Sequence, residues 1–347
     1  MQSETIKLTG LELFPRLLEM DYLREAVELF MSERFCVYRN VAAVVGSLVL
    51  LRFTLRFLCN ACSWLRAYFL APLGLGRTNL KKYGPWAVVT GASEGIGRGY
   101  ALELARQGLN VVLMSRSQEK LDKVATEIKA RYAGREVRVV PVDFSQGAEI
   151  FPQIAESVQD LDVGILVNNV GLGNEHPEVL LKMPIERMRK MVELNIQTLM
   201  HMSHLIMPQM VAKGRGLVIN LSSAAAIRPG VMHTVYASTK SFVDFFSTSL
   251  SLEYASKGII VQNVAPFFVA TALSGMRRTN LFVADANQYA RSALATVGIM
   301  SFTHGTLSHS MQAVLIRLIP QCLLIPGMWR AMKGAKAKYL KKQAKRK

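Results

Sequence analysis

The sequence predicts an α/β fold in which a doubly wound parallel sheet follows an N-terminal membrane-associated helical segment. Six short apolar runs alternate with stretches of helical periodicity, which is the pattern of parallel strands joined by crossover helices. Ahead of them, the apolar run from Val41 to Leu51 is bounded by Arg39 and Arg52 and resumes as far as Leu70. Its uncharged core is shorter than the roughly 20 residues of a clean membrane span.

Composition and charge indicate contact with a lipid surface. Half of the 347 residues are hydrophobic, and the formal net charge is +17. The segment 39–82 holds seven basic residues and 331–347 holds eight, and neither holds an acidic one. Basic residues beside apolar segments favour anionic lipid, and the chain has no aromatic-interleaved basic stripe of the kind that binds nucleic acid. Four cysteines form neither a disulfide framework nor a metal-ligand pattern, which favours a cytosol-facing body.

The chain divides into six segments by pattern. An apolar stripe at helical spacing predicts an amphipathic helix in 1–38. The hydrophobic membrane-associated segment, 39–71, is either a short span whose arginines reach the surface or a helix lying in the interface. Glycines and a polar end make 72–82 a linker. The α/β domain follows over 83–308, then an apolar C-terminal segment over 309–330 and a solvated basic tail over 331–347.

The elements of the domain are predicted from these periodicities. The predicted strands cover 86–89, 110–114, 137–142, 163–167, 216–221 and 259–264. Helices are expected over 185–212, from about 233 to 257, and from about 287 to 300.

A glycine-rich turn, TGASEGIG from Thr90 to Gly97, follows the first strand and opens a helix. Glycines there let the backbone approach a pyrophosphate at the helix N-terminus, where free N–H groups favour an anion, so this placement indicates a Rossmann-type dinucleotide site. The second strand leads into Ser115 and Arg116, and an arginine there suits a 2′-phosphate. We therefore expect NADPH rather than NADH, although Glu94 inside the turn is mildly unfavourable for the phosphate.

The stretch LSSAAAIRPGVMHTVYASTK, from Leu221 to Lys240, contains the candidate catalytic residues Ser223, Tyr236 and Lys240. Tyr236 and Lys240 are four residues apart, which puts both side chains on one face of a helix. A cation beside a phenol favours phenolate and makes Tyr236 a usable general acid or base. Ser223 precedes it by 13 residues at the end of a buried strand, where its hydroxyl can hold a carbonyl oxygen. Asn195 lies within an apolar helix face and is equally compatible with a satisfied polar group of the core.

Together these motifs resemble the short-chain dehydrogenase/reductase family over about 83 to 271. The matching features are TGASEGIG, Asp143, NNVG in place of the commoner NNAG, Asn195, Ser223, YASTK and the loop from Pro266 to Thr271. The resemblance implies a catalytic tetrad of Asn195, Ser223, Tyr236 and Lys240. Tyr236 would exchange a proton with the substrate oxygen that Ser223 holds, and Lys240 would bind the nicotinamide ribose and lower the phenol pKa. Asn195 would hold a water that relays protons to Lys240.

The same resemblance implies the cofactor contacts, without a metal. They are Gly91, Ser93, Gly95, Ile96, Gly97, Arg116, Asp143, Asn169, Tyr236, Lys240 and Thr271. Asp143 would accept from the adenine amino group or cap the next turn, and Thr271 would meet the carboxamide. The sequence Ala265-Pro266-Phe267-Phe268 departs from the Pro-Gly of many members, which changes the expected shape of the substrate pocket.

Within the family, the basic-flanked apolar N-terminus and phrases such as DVGILVNNVG are most similar to the membrane-bound branch. That branch contains 17β-hydroxysteroid dehydrogenases of types 3 and 12, very-long-chain 3-oxoacyl-CoA reductases and hydroxysteroid-dehydrogenase-like 1 proteins. Some of the last group are thought inactive because the tyrosine is replaced, whereas Tyr236 is present here.

The branch implies an NADPH-dependent reductase of a lipophilic ketone, either a 17-ketosteroid or a long-chain 3-oxoacyl-CoA. The expected location is the endoplasmic reticulum membrane, with a mitochondrial membrane as the alternative. Membrane lipid and a second copy of the chain are the expected partners. The competing hypothesis is a catalytically idle binding or scaffold protein on the same fold.

Overall fold

The computed structural model describes residues 24, 25, 28, 36–276 and 278–345. The chain divides into two compact units, Met1–Ser63 and Trp64–Lys347. The amphipathic helix predicted within 1–38 lies almost entirely outside the described residues.

The first apolar segment forms one long helix, α1 (Cys36–Leu65), of 30 residues, none of which is buried. At 1.5 Å per residue it is about 45 Å long, more than the roughly 30 Å thickness of a bilayer core. Among the described residues, the helical stretch Cys36–Leu73 is long and apolar enough to cross a membrane. The arginines that shorten the apolar run do not break the helix, because arginine is a good helix former.

Residues directly after α1 belong to the second unit and pack within it. Ala67 and Ala71 are buried, and the Tyr68 hydroxyl lies 2.7 Å from the Ser310 Oγ. The end of the segment predicted as membrane-associated, 39–71, is therefore part of the larger unit.

The predicted linker, 72–82, is also attached to that unit. Leu80 is buried, and the Thr78 hydroxyl donates to the Val297 carbonyl at 2.8 Å. Composition indicated a connection here, but the buried leucine and this hydrogen bond hold the segment in place.

Seven parallel strands form one sheet in the order β3-β2-β1-β4-β5-β6-β7. The strands are β1 (Trp86–Thr90), β2 (Asn110–Ser115), β3 (Val137–Pro141), β4 (Val163–Asn168), β5 (Gly216–Leu221), β6 (Ile259–Val264) and β7 (Phe302–Thr303). The predicted doubly wound parallel sheet is confirmed, and six strands end within one residue of the predicted bounds. The seventh strand has two residues, too few for a periodic pattern.

Nine α-helices follow α1 in the described part of the chain. They are α2 (Gly95–Arg106), α3 (Gln118–Arg131), α4 (Phe151–Val158), α5 (Ile185–Val192), α6 (Thr198–Ala212), α7 (Thr234–Tyr254), α8 (Ala286–Ala295), α9 (Leu307–Leu318) and α10 (Gln321–Ala344). A π-helical turn, Glu193–Gln197, divides the helix predicted over 185–212. The basic tail is helical as far as Ala344 because its lysines, alanines and leucine are strong helix formers.

The core lies on both faces of the sheet. Ala87 and Val89 of β1 face a cluster with α2, α3 and α8, whereas Val88 faces a cluster with α4 and α6. Helices therefore cover both faces, and the strand order reverses between β1 and β4. In such sheets the crevice at the carboxyl ends beside this reversal is where ligands bind.

Candidate active site

Lys240 lies one turn after Tyr236 on α7, and its side chain is buried. Its Nζ donates to the carbonyl of Leu221, the last residue of β5, at 2.8 Å. Burial lowers the pKa of Lys240 to about 8, and the charge of Asp244 opposes that shift. The ammonium form therefore still predominates at pH 7.

Ser223 and Tyr236 meet at the end of β5. The Ser223 hydroxyl caps a short turn by accepting from the Ala225 backbone N–H at 3.1 Å. Burial raises the pKa of Tyr236, and hydrogen bonding with the Ser223 side chain opposes that rise. The sequence led us to expect a lowered pKa from Lys240. In this structure burial is the largest cause of the Tyr236 pKa shift, and the Lys240 ammonium donates to a backbone carbonyl.

Asn195 lies in the middle of the π turn Glu193–Gln197 and is 2% exposed. Its Nδ2 donates to the Leu172 carbonyl at 3.0 Å and to the Thr239 hydroxyl at 2.9 Å, and its Oδ1 accepts from the Leu172 N–H at 2.6 Å. π-helical turns are frequent at functional sites. Both amide hydrogens bind protein atoms, so a relay water would have to bind an acceptor of Asn195. The relay stays a prediction.

Gly171 lies close to two of these side chains. A Cβ added at Gly171 would lie 3.3 Å from Asn195 Oδ1 and 3.3 Å from Lys240 Nζ. Since Lys240 also reaches the end of β5, the structure brings the residues of the predicted tetrad into one crevice at the carboxyl ends of the strands.

The glycine-rich turn forms a tight cradle beside this crevice. Gly91 and Gly95 have φ angles of 66° and 58°, which glycine adopts readily and other residues do not. A Cβ at Gly97 would lie 2.2 Å from the Gly91 carbonyl oxygen. Asn169 Nδ2 holds the turn by donating to the carbonyls of Thr90 at 3.0 Å and Gly91 at 3.2 Å. The cradle fits a dinucleotide pyrophosphate at the N-terminus of α2.

Basic residues gather where β2 ends beside the cradle. The Ser93 hydroxyl lies 2.9 Å from that of Ser115, and Arg116 follows with an exposed side chain. Lys120 Nζ pairs with the Glu94 carboxylate at 2.9 Å. This ion pair offsets the acidic charge that seemed unfavourable for a phosphate. Sequence reasoning missed Lys120, which lies in the first turn of α3.

The other predicted cofactor residues differ in their surroundings. Thr271 reaches the cradle, because a Cβ at Gly95 would lie 3.0 Å from its methyl group. Asp143 caps the next turn by accepting from the Ser145 N–H at 3.0 Å, which is one of its two predicted roles. Ile96 packs against the core of the sheet.

Asp244, which the sequence reading did not select, lies one turn beyond Lys240 on α7. Its Oδ1 accepts from Asn263 Nδ2 at 2.8 Å, and burial raises the pKa of its carboxyl. It is the charge that helps keep Lys240 protonated. The sequence signal that could have found Asp244 is its spacing of four residues from Lys240 on a helical stretch.

A family model described as short chain dehydrogenase matches residues 85–281. The chain belongs to the short-chain dehydrogenase family. It is 42% identical over 264 residues to the very-long-chain 3-oxoacyl-CoA reductase of Homo sapiens, covering 76% of this chain and 84% of the relative. It is 37% identical over 294 residues to the inactive hydroxysteroid dehydrogenase-like protein 1 of Homo sapiens, covering 84% of this chain and 89% of the relative.

Solved structures of short-chain dehydrogenases share the fold. A structure from a study of 7beta-hydroxysteroid dehydrogenase stereoselectivity has a TM-score of 0.63 at 25% identity, covering 70% of this chain and 95% of that one. A short-chain dehydrogenase from Sphingobium yanoikuyae in complex with NADPH has a TM-score of 0.59 at 26% identity, covering 69% and 97%. This short-chain dehydrogenase is therefore an oxidoreductase with a nicotinamide cofactor. Its apolar helix α1, together with the very-long-chain 3-oxoacyl-CoA reductase relatives, indicates a membrane-associated protein.

Proposed function

We propose that the protein is an NADPH-dependent reductase of long-chain 3-oxoacyl thioesters at a membrane surface. The observation that carries the chemistry is the meeting of Ser223, Tyr236 and Lys240 in one crevice beside the glycine cradle. The substrate class is supported by relatives named as very-long-chain 3-oxoacyl-CoA reductases.

An apolar side chain lies beside the phenol, which suits an acyl chain. A Cβ at Gly173 would lie 3.4 Å from Leu273 Cδ1 and 3.9 Å from Tyr236 Cε2, so the leucine lies close to the catalytic ring. Phe267, which stands where many members have a glycine, turns toward the rings of His304 and His309. Phe268 is exposed.

The bound cofactor would supply a hydride to the carbonyl carbon. The Ser223 hydroxyl would donate a hydrogen bond to the carbonyl oxygen, and Tyr236 would give its phenolic proton to the same oxygen. The overall change takes a ketone, NADPH and one proton to an alcohol and NADP⁺. The Lys240 ammonium, with a pKa of about 8, would stabilise the phenolate that is left until a proton returns.

The proposed location is the endoplasmic reticulum membrane, with the catalytic unit facing the cytosol. Four free cysteines support a reducing compartment.

A panel of ketones tests the substrate class. We expect the full chain, reconstituted in lipid vesicles, to oxidise NADPH with a long-chain 3-oxoacyl-CoA and to show a lower kcat/KM with a 17-ketosteroid. A higher kcat/KM for the steroid would overturn the acyl assignment. Cofactor binding without turnover of any ketone would instead support the idle binding protein.

Replacing Arg116 with aspartate is expected to shift the preference from NADPH toward NADH. The new carboxylate repels a 2′-phosphate and can accept from a 2′-hydroxyl. The measurement is the NADPH/NADH ratio of kcat/KM. Arg131→Asp, at the far end of α3, makes the same charge change at a side chain that pairs only with Glu127 among the described contacts, and the ratio should not move. An unchanged ratio in Arg116→Asp would show that another basic residue reads the phosphate.

A further inference from the structure

Helix α9 has its polar side facing the protein interior. Its buried residues are His309, Ser310 and Ala313. Its exposed apolar residues, called here the apolar stripe, are Met311, Val314, Leu315 and Leu318. Their spacing of three and four places them on one face, and Leu315 and Leu318 are 59% and 73% exposed. A surface helix in water has the opposite arrangement, so this face fits an apolar partner.

The residues that follow the stripe favour an anionic bilayer as that partner. The chain bends by 119° into α10, where Leu323 is also exposed. From there α10 carries basic residues and no acidic one. The basic residues are Arg330, Lys333, Lys336, Lys338, Lys341 and Lys342. An apolar face beside a run of cations is the chemistry of a helix lying in an anionic lipid surface. A second copy would bring two such cationic runs together, which costs electrostatic energy.

The stripe is tied to the catalytic crevice. Arg228, in the loop between Ser223 and Tyr236, donates to the carbonyls of Arg317 and Ile319 at the end of α9. Helix ends leave such carbonyls without intrahelical partners, so the arginine holds this end of α9 to the catalytic loop.

Helix α10 is tied to the loop after β4 in the same way. Lys336 pairs with Glu178, and the ring of Tyr339 lies 4.8 Å from that of His176. Both loops border the crevice. The loop after β4 contains Gly171, and the loop with Arg228 leads to Tyr236.

We propose that α9 docks into the surface of an anionic bilayer through the apolar stripe and so presents the catalytic crevice to lipid. An acyl chain would then pass from the bilayer into the crevice without crossing water. The docking itself does not depend on the substrate, whereas this last step rests on the proposed function.

Lipid-borne quenching in the full chain tests the docking. Helix α1 is expected to hold the chain to vesicles on its own, so the readout must report α9 alone. Leu315→Cys, in a background with Cys36, Cys59, Cys62 and Cys322 replaced by serine, carries an environment-sensitive dye. The vesicles contain phosphatidylcholine, with or without phosphatidylserine, and a nitroxide-labelled lipid. Lys129→Cys, on the exposed side of α3, is the matched control.

We expect the Leu315 label to be quenched, more strongly with phosphatidylserine, and the Lys129 label to remain unquenched. The gain from phosphatidylserine should fade between 0.1 M and 1 M salt, as the Debye length falls from about 10 Å to about 3 Å. An unquenched Leu315 label would overturn the proposal. A label shielded from water but unquenched, with a dimer by light scattering, would identify a second copy as the occupant and would equally overturn it.

A double variant, Leu315→Glu with Leu318→Glu, tests the consequence for catalysis. We expect it to lose the quenching of a label at Met311→Cys and to raise KM for a vesicle-borne long-chain 3-oxoacyl-CoA by about tenfold or more, since burial of one leucine is worth at least that factor. The KM for a short, water-soluble 3-oxoacyl thioester should not change, and unaltered cofactor binding shows that the variant folds. An equal rise in both KM values would overturn lipid delivery. Quenching in a protein that reduces no ketone would overturn the proposed function and leave the docking intact.

Discussion

Replacing Tyr236 with phenylalanine is expected to lower kcat by about 10²–10⁴-fold, the usual worth of general acid–base catalysis. The change removes the phenolic proton that the carbonyl oxygen would receive, and it leaves the ring in place on α7. Cofactor affinity should therefore stay nearly unchanged. Single-turnover oxidation of NADPH gives the rate of the chemical step, and a fluorescence titration gives the cofactor affinity.

The matched control is Tyr254→Phe at the other end of the same helix. Tyr254 packs beside the core cluster that contains Val88, α4 and α6. Lys257 Nζ lies 5.2 Å from the centre of its ring, and both residues are far along the chain from the crevice. Losing its hydroxyl should leave kcat within about twofold. If Tyr236→Phe retained more than about a tenth of the wild-type rate, Tyr236 would not be the proton donor.

Replacing Gly97 with alanine is expected to weaken cofactor binding by about 100-fold or more, which corresponds to about 2.8 kcal/mol. The new methyl group would lie 2.2 Å from the Gly91 carbonyl oxygen and 2.5 Å from Asn169 Nδ2. These two atoms hydrogen-bond to each other, so the cradle can accept the methyl group only by opening. Such overpacking also costs about 1–3 kcal/mol of folding stability. A cofactor titration and thermal unfolding measure the two effects.

Gly334→Ala provides the matched control. Gly334 lies within α10, and a Cβ there would meet no atom within 4 Å. Alanine in an open helix interior is expected to stabilise by about 0.5–1 kcal/mol and to leave cofactor binding unchanged. Wild-type cofactor affinity in Gly97→Ala would show that the pyrophosphate binds elsewhere.

Periodicity predicted most of the sheet because strands buried on both faces appear in the sequence as continuous apolar runs. β5 (Gly216–Leu221) is such a run and was predicted to the residue. β7 was not predictable, since its two residues become a strand only by pairing with Asn263 and Val264 of β6. The π turn Glu193–Gln197 was also missed, because a single wide turn inside a long helix alters the helical period over only five residues.

Motif spacing assigned the predicted catalytic side chains to the elements on which the structure has them, but it did not give their environment. A spacing of four puts Tyr236 and Lys240 on one face of α7, yet it does not report how deeply that face is buried. Burial sets the direction of the Tyr236 pKa shift, and the Leu221 carbonyl accepts a hydrogen bond from the Lys240 ammonium. Partners such as the Glu94–Lys120 ion pair depend on how β1 and β2 lie side by side.

The packing of the residues that follow α1 decides where the chain can be shortened for crystallisation. A cut at residue 71 would remove Ala67 and Tyr68, exposing apolar surface and taking from Ser310 of α9 its contact with the Tyr68 hydroxyl. A cut after Ser63 follows the division between the two compact units and keeps both residues. The shortened protein would still carry the apolar stripe of α9 on its surface, so it would need detergent to stay monodisperse even without its long apolar helix.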